Sequence, residues 1–168
     1  MNYLILNDLS QPEAPAQWRG FSDQVMGGLS QELVTLETIV GVRALRLRGA
    51  VRLDHGGGFV QIALPLAHTD QPLDGSSYSG IRLLVWGNGE QYRLHLRTSA
   101  CYRPQQFYWT PFVAPAAWQQ VDLPFSAFQP KGFDQPLNSY QLTRIGIVAY
   151  GRPFEADVAV AQVGLYLG

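Results

Sequence analysis

Alternation of apolar and polar residues with a period of two constrains this chain more than any other feature. It is clearest over residues 45–53, Leu-Arg-Leu-Arg-Gly-Ala-Val-Arg-Leu. There the odd positions except Gly49 are apolar, while Arg46, Arg48 and Arg52 occupy even ones. Successive side chains of a strand point to opposite faces, so this pattern sets one face on a core and the other toward water or a partner. Similar segments lie at residues 59–64, 81–86, 92–97, 106–112, 118–123, 144–149 and 158–166, with weaker ones at 3–6 and 32–39. No long segment has the 3.6-residue period of an amphipathic helix, and only residues 124–128 suggest a short helical turn. Seventeen Gly and eleven Pro supply breakers between the segments. About ten strands spaced by turns predict an all-β jelly-roll β-sandwich of two antiparallel sheets. No linker, repeat or composition shift divides the chain, so residues 1–168 are expected to form a single domain.

The connection Gly87-Asn88-Gly89-Glu90-Gln91 carries the Asn-Gly pair of a tight turn, which predicts that 81–86 and 92–97 form a hairpin. If Ile81, Leu83, Val85, Tyr92, Leu94 and Leu96 point inward, then Arg82, Leu84, Trp86, Arg93, His95 and Arg97 share the other face, with Tyr108 and Thr110 joining from the next strand. Rings beside Arg and His stack on a sugar or clasp a peptide, using apolar area and directional donors. The candidate ligand-binding residues are therefore Trp86, Arg93, His95, Arg97 and Tyr108. The bland alternative is a solvated sheet face of cross-strand pairs, or a second buried layer.

Composition narrows the function classes. A net charge of −1 and a pI near 6.3 argue against binding nucleic acid through phosphate neutralisation. The cations are eleven Arg and the single Lys131; Arg favours planar, bidentate contacts, although a GC-rich genome produces the same bias. The lone Cys101 excludes an internal disulfide and is expected to be inert. The start of the chain has no basic region and meets Asp8 early, unlike a signal peptide, and no apolar run approaches the roughly 18 residues of a membrane span. A soluble, cytoplasmic protein without membrane insertion is expected.

Chemistry is sparse. Gly27-Gly28 and Gly56-Gly57-Gly58 precede strand patterns, whereas phosphate loops open onto helices. His55, His68 and His95 stand alone, so neither a metal site nor a cofactor is expected from them. Asn7 and Asp8 with Glu155 and Asp157 are the best oxygen cluster and the only candidates for a structural calcium; otherwise they are solvated turn residues. The serines lack a Gly-x-Ser-x-Gly elbow, and nothing pairs Asp122, Glu155 and Asp157 as catalytic carboxylates. No catalytic residue is assigned, and the chain is read as a non-enzyme.

One string remains, Phe21-Ser22-Asp23-Gln24-Val25-Met26-Gly27-Gly28-Leu29-Ser30. Physically, Asp23 and Ser30 suit hydrogen bonds to amides around a Gly27-Gly28 turn, Val25 and Met26 are apolar enough to plug a sandwich end, and Gly28 is the expected site of positive φ. On that reading Asp23, Met26, Gly27, Gly28 and Ser30 are mainly structural. The string resembles the Asp-x-Val-Met-Gly-Gly-x-Ser signature of the complex I intermediate-associated protein 30 family. Gly56-Gly57-Gly58-Phe59-Val60 resembles that family's Gly-Gly-Phe strand entry, residues 79–92 its Gly-led strand, turn and Tyr-led return, and Trp118-Gln119-Gln120-Val121-Asp122-Leu123-Pro124-Phe125-Ser126-Ala127-Phe128 its Trp-Gln-x-Val-x-Leu-Pro-Phe-x-x-Phe segment. Residues 145–147 and 154–166 are similar to its closing strands. Gln24 and Asn88 depart from the usual residues. The resemblance implies a galactose-binding-like β-sandwich, a non-enzymatic helper in assembly of respiratory complex I, and a fold shared with carbohydrate-binding modules; it supplies no catalytic residues. With no organelle address, the mitochondrial role does not carry over directly. The resulting expectation is a non-catalytic module that binds another protein, respiratory-complex subunits among the candidates, as an assembly or chaperone-like factor. The alternative is a carbohydrate-binding module using the concave sheet face.

Overall fold

The computed structural model describes residues 2–168. The strands are β1 (Tyr3–Asp8), β2 (Arg19–Ser22), β3 (Leu33–Ile39), β4 (Val42–Val51), β5 (Phe59–Pro65), β6 (Gly80–Gly87), β7 (Gln91–Thr98), β8 (Phe107–Val113), β9 (Gln119–Pro124), β10 (Gln129–Lys131), β11 (Leu142–Tyr150) and β12 (Phe154–Tyr166). They form two six-stranded sheets. The first runs β3-β4-β12-β6-β9, with β1 added against β12; the second runs β10-β8-β7-β11-β5-β2. Every described pairing is antiparallel. β12 organises the first sheet: its first half pairs with β4, its second half with β1, and β6 lies along its other side.

The predicted all-β sandwich is therefore the fold, and the alternating pattern determines its interior. Leu45 and Leu47 of β4, Val85 of β6 and Val158 of β12 face Ile62 of β5, Leu94 of β7 and Ile147 of β11 across one continuous apolar layer. Fully burying such a side chain contributes about 1.5–3 kcal/mol, so a layer assembled from both sheets sets the register of each strand. The short helical turn appears at Phe125–Ala127. β2 and β10 have no counterpart in the sequence reading; at four and three residues they are too short for a period to show. Among the described residues, no helix is long and apolar enough to cross a membrane.

The predicted hairpin is corrected. β6 and β7 belong to opposite sheets, so the chain between them crosses the sandwich edge. The Asn88-Gly89 turn forms, with φ of 84° at Gly89, but its polar groups are taken by other elements. The Gly87 amide donates to the Pro115 carbonyl (2.8 Å) and the Asn88 Nδ2 to that of Glu155 (3.0 Å). Tyr92 locks this corner: its hydroxyl donates to Asn88 Oδ1 at 2.6 Å and accepts from the Asp157 amide at 2.9 Å. The inward faces agree with the alternation, because Ile81, Leu83, Val85, Tyr92, Leu94 and Leu96 are all buried. Two strands whose apolar faces meet across one interior satisfy the same pattern as two strands side by side.

Candidate functional site

The Phe21–Ser30 string builds a knot at one end of the sandwich. Asp23 is fully buried, and its carboxylate accepts from the amides of Ser30 (2.9 Å), Gly58 (2.6 Å) and Phe59 (3.1 Å). Burial by itself pushes this carboxyl up, yet the hydrogen bonds from Ser30, Gly58 and Phe59 outweigh it and hold the acid below its ordinary value. Ser30 Oγ accepts from the Arg52 amide (2.8 Å) and donates to the Arg52 carbonyl (3.1 Å), in the manner of a strand partner. The exits of β2 and β4 and the entry to β5 are thus tied together. Gly27 caps the 3-10 turn at Asp23–Met26 in the left-handed region, φ 85°. Positive φ therefore falls at Gly27 and not at Gly28, where the constraint is space: a Cβ on Gly28 would collide with the Asp23 carboxylate. Asp23 and Ser30 thus spend their side chains on backbone groups, Gly27 supplies the left-handed turn and Gly28 the space beside the carboxylate.

Val25 and Met26 do not plug the sandwich end. They are 71% and 60% exposed. The knot consumes the polar side chains on either side and turns these two outward, where with Leu53 they form an apolar lip on a recess of about 600 Å³.

This recess lies on the outer face of the second sheet. Its floor is Gln61 of β5, Gly146 and Val148 of β11 and His95 of β7; its walls include Phe21, Phe59, Phe107 and Tyr150. His95 stacks on Phe107, ring centroids 4.0 Å apart, and meets the Tyr150 edge at 5.6 Å. It is 8% exposed and its Nε2 has no hydrogen-bond partner among the described residues. Burial, then the charges of Arg93 and Arg144, lower its pKa to about 3, so His95 is neutral at pH 7. A smaller hollow of about 230 Å³ adjoins across Tyr150; there the Arg93 guanidinium stands over the rings of Trp109 (3.9 Å) and Tyr150 (4.4 Å).

Of the sequence-predicted ligand residues, the structure brings Arg93, His95 and Arg97 onto this face and separates the other two. Trp86 belongs to the first sheet, on the opposite surface, half-buried under Arg46 (5.1 Å) in a satellite cluster with Trp118, Ala159 and Ala161. Tyr108 points into the core, fully buried, with its hydroxyl donating to the Pro136 carbonyl at 3.1 Å; Thr110 is also inward. The parity of β8 was ambiguous because Phe107-Tyr108-Trp109 is aromatic on both faces, and Phe107 and Trp109 are the outward pair. Arg97 fastens the loop between β7 and β8, its guanidinium donating to the carbonyls of Cys101, Arg103, Pro104 and Gln106 at 3.0–3.2 Å. Arg144, Tyr150, Phe59 and Lys131 were missed, although the alternation within β11 already placed Arg144 and Tyr150 on one face.

The proposed calcium cluster does not form. Asn7 and Asp8 sit opposite Val163 and Gln162, whereas Glu155 and Asp157 sit opposite Ala50 and Arg48. Five to eight residues of strand, about 17–27 Å, separate the two pairs along β12. Asn7 is occupied by Ala14, Gln17 and Trp18, and Asp157 by Arg46. Among the described residues no three His, Cys, Asp or Glu side chains form a metal-holding group.

The charges are segregated between the faces. On the first sheet Arg46 pairs with Glu37 and Asp157, Arg48 with Glu37, and Arg82 with Asp122. The recess is lined by Arg97, Lys131 and Arg144 and by no acid, and none of the three has a carboxylate partner among the described residues.

A family model described as complex I intermediate-associated protein 30 matches residues 7–159. No curated protein matches the chain. Among solved structures, the chain is similar to the family 11 carbohydrate-binding module of the cellulosomal cellulase Lic26A-Cel5E of Clostridium thermocellum, at 13% identity and a TM-score of 0.78, over 100% of this chain and 96% of that one. The family 11 module of the same organism in complex with a β-1,3-1,4-mixed-linked tetrasaccharide gives 13% and 0.77, over 100% and 97%. The family 30 module of the C. thermocellum cellulase Cel9D-Cel44B gives 15% and 0.63, over 90% and 91%. At these identities the likeness establishes the fold.

Proposed function

Because the chain belongs to the complex I intermediate-associated protein 30 family, we propose that it is a non-catalytic protein-binding module, an assembly factor of the kind the family's name describes, and that the recess on the second sheet receives a segment of its partner. The observation that carries this reading is the makeup of the recess. At about 600 Å³ it is in the size range of ligand sites, and its rim is aliphatic: Val25, Met26 and Leu53 are all exposed. Exposed aliphatic side chains grouped at a cleft fit the apolar side chains of a polypeptide. Neutral sugars are held by flat rings with carboxylates and amides on their hydroxyls, and here the lining has the amides Gln61 and Gln105 but no carboxylate.

The second reading, glycan binding, is favoured by the similarity to the module that holds a mixed-linked tetrasaccharide and by the rings of Phe107 and Tyr150 in the recess. Immobilised wild-type protein and a Val25→Asp/Met26→Asp variant, exposed to native lysate beside a glycan array, separate the two. Recovery of respiratory-complex subunits by wild type and their loss from the variant is the expected result. A specific oligosaccharide hit with no protein dependent on the lip overturns the protein reading in favour of the glycan.

A further inference from the structure

Strand register arranges the recess into two chemically different ends. Lys131 is paired with Phe107 across β10 and β8, and Arg97 with Arg144 across β7 and β11; with Leu96 paired to Tyr108, these four residues form one row across the sheet. Neighbouring strands are about 4.8 Å apart, so the row is about 14 Å wide from Lys131 to Arg144. At the other end, six residues further along β11, Tyr150 is paired with Phe59, and the Gly151 amide donates to the Gly58 carbonyl beside the Val25–Met26 lip. Six residues of strand are about 20 Å.

The cationic row is electrostatically unfavourable as it stands. Like charges directly opposite on a sheet repel, and Arg97 faces Arg144 with no acid between them. Arg97 at least spends its donors on loop carbonyls. The Arg144 side chain makes no hydrogen bond or ion pair to any described residue, although it is partly buried; its guanidinium lies 5.7 Å from the centre of the Phe21 ring. Lys131 is exposed and equally unpartnered among the described residues. Arg is favoured for desolvated carboxylate recognition because its planar fork is presented whole.

Resting on the protein-binding reading above, we propose that the occupant of the recess is an extended acidic peptide segment, with carboxylates on Arg144 and Lys131 and an apolar side chain against Val25 and Met26 about six residues away. The peptide completes the charge balance that the fold leaves open, and its span follows from the register.

Fluorescence anisotropy tests this with a labelled octapeptide bearing two leucines at one end and two aspartates at the other, joined by a four-residue glycine-serine spacer. Two further octapeptides replace the aspartates by asparagine or lysine. The aspartate peptide is expected to bind, the asparagine form at least about tenfold more weakly, and the lysine form more weakly still. Added salt weakens the aspartate complex selectively. Arg144→Gln and, separately, Lys131→Gln each reduce the difference between the aspartate and asparagine peptides; Lys131 is exposed, so that variant folds regardless. An Arg144→Glu/Lys131→Glu variant is expected to prefer the lysine peptide. Equal binding of aspartate and asparagine peptides overturns the inference and leaves the protein-binding reading standing. Binding of a uronic-acid oligosaccharide, with all peptides silent, overturns both. Silence of every ligand overturns the inference alone, since the lysate capture above judges the underlying reading without peptides.

Discussion

Replacing Asp23 with alanine removes the acceptor for three amides at once. Ser30, Gly58 and Phe59 donate to this one buried carboxylate over 2.6–3.1 Å, and an alanine leaves all three without a partner in a site closed to solvent. A buried donor stripped of its acceptor costs about 1–3 kcal/mol, and neighbouring losses overlap, so the expected destabilisation is about 3–6 kcal/mol. Against a total stability of about 5–15 kcal/mol this is a large fraction. Urea unfolding followed by tryptophan fluorescence measures it. With a slope of about 1–3 kcal/mol/M, the midpoint should fall by about 2 M while the slope is unchanged. Asp23→Asn keeps the volume and one acceptor oxygen, which can still serve Gly58 and Phe59, but sets its NH2 against the Ser30 amide, and should lose less than Asp23→Ala. The pH dependence carries an independent signature. Asp23 titrates lower in the folded protein than the ordinary 3.8, so its contribution is present above that value and is lost as pH falls below it. That part of the acid limb should flatten in Asp23→Asn. A loss under about 1 kcal/mol in Asp23→Ala, at unchanged slope, would refute the claim that this carboxylate holds the loops together.

Three further outcomes follow from the same geometry. Gly28→Ala should destabilise by about 2 kcal/mol or more through its clash with Asp23, whereas Gly27→Ala should lose about 1–2 kcal/mol through its φ of 85°; thermal melts of both variants check the order. Arg97→Ala frees four carbonyls of the loop between β7 and β8, so hydrogen exchange at residues 101–106 should accelerate while that in β12 is little changed. His95 stays unprotonated in the folded state down to about pH 3 and takes its proton near 6.5 when unfolded, so acid favours the unfolded chain across that window. His95→Phe should remove this slope and, by deleting an unpartnered buried nitrogen, leave neutral-pH stability equal or higher; urea midpoints across pH 3–7 decide it.

Alternation alone determined that this chain is an all-β sandwich, and which side of β4, β6 and β7 meets the core, because burying apolar area admits one parity per strand. The family signature was legible as well. What a period of two does not encode is which strand lies beside which. Pairing is decided by long-range register, so Trp86 and His95, nine positions apart and flanking a convincing turn, end on opposite surfaces of the molecule. Strands aromatic on both faces, such as β8, carry no parity signal, and only packing against Phe133 and the core turned Tyr108 inward and Phe107 outward. The exposure of Val25 and Met26 arose similarly, once the carboxylate between the loops had fixed the direction of the turn. The recess and its unbalanced cations belong to the tertiary structure, since Lys131, Arg97 and Arg144 become neighbours only when β10, β8, β7 and β11 are laid edge to edge.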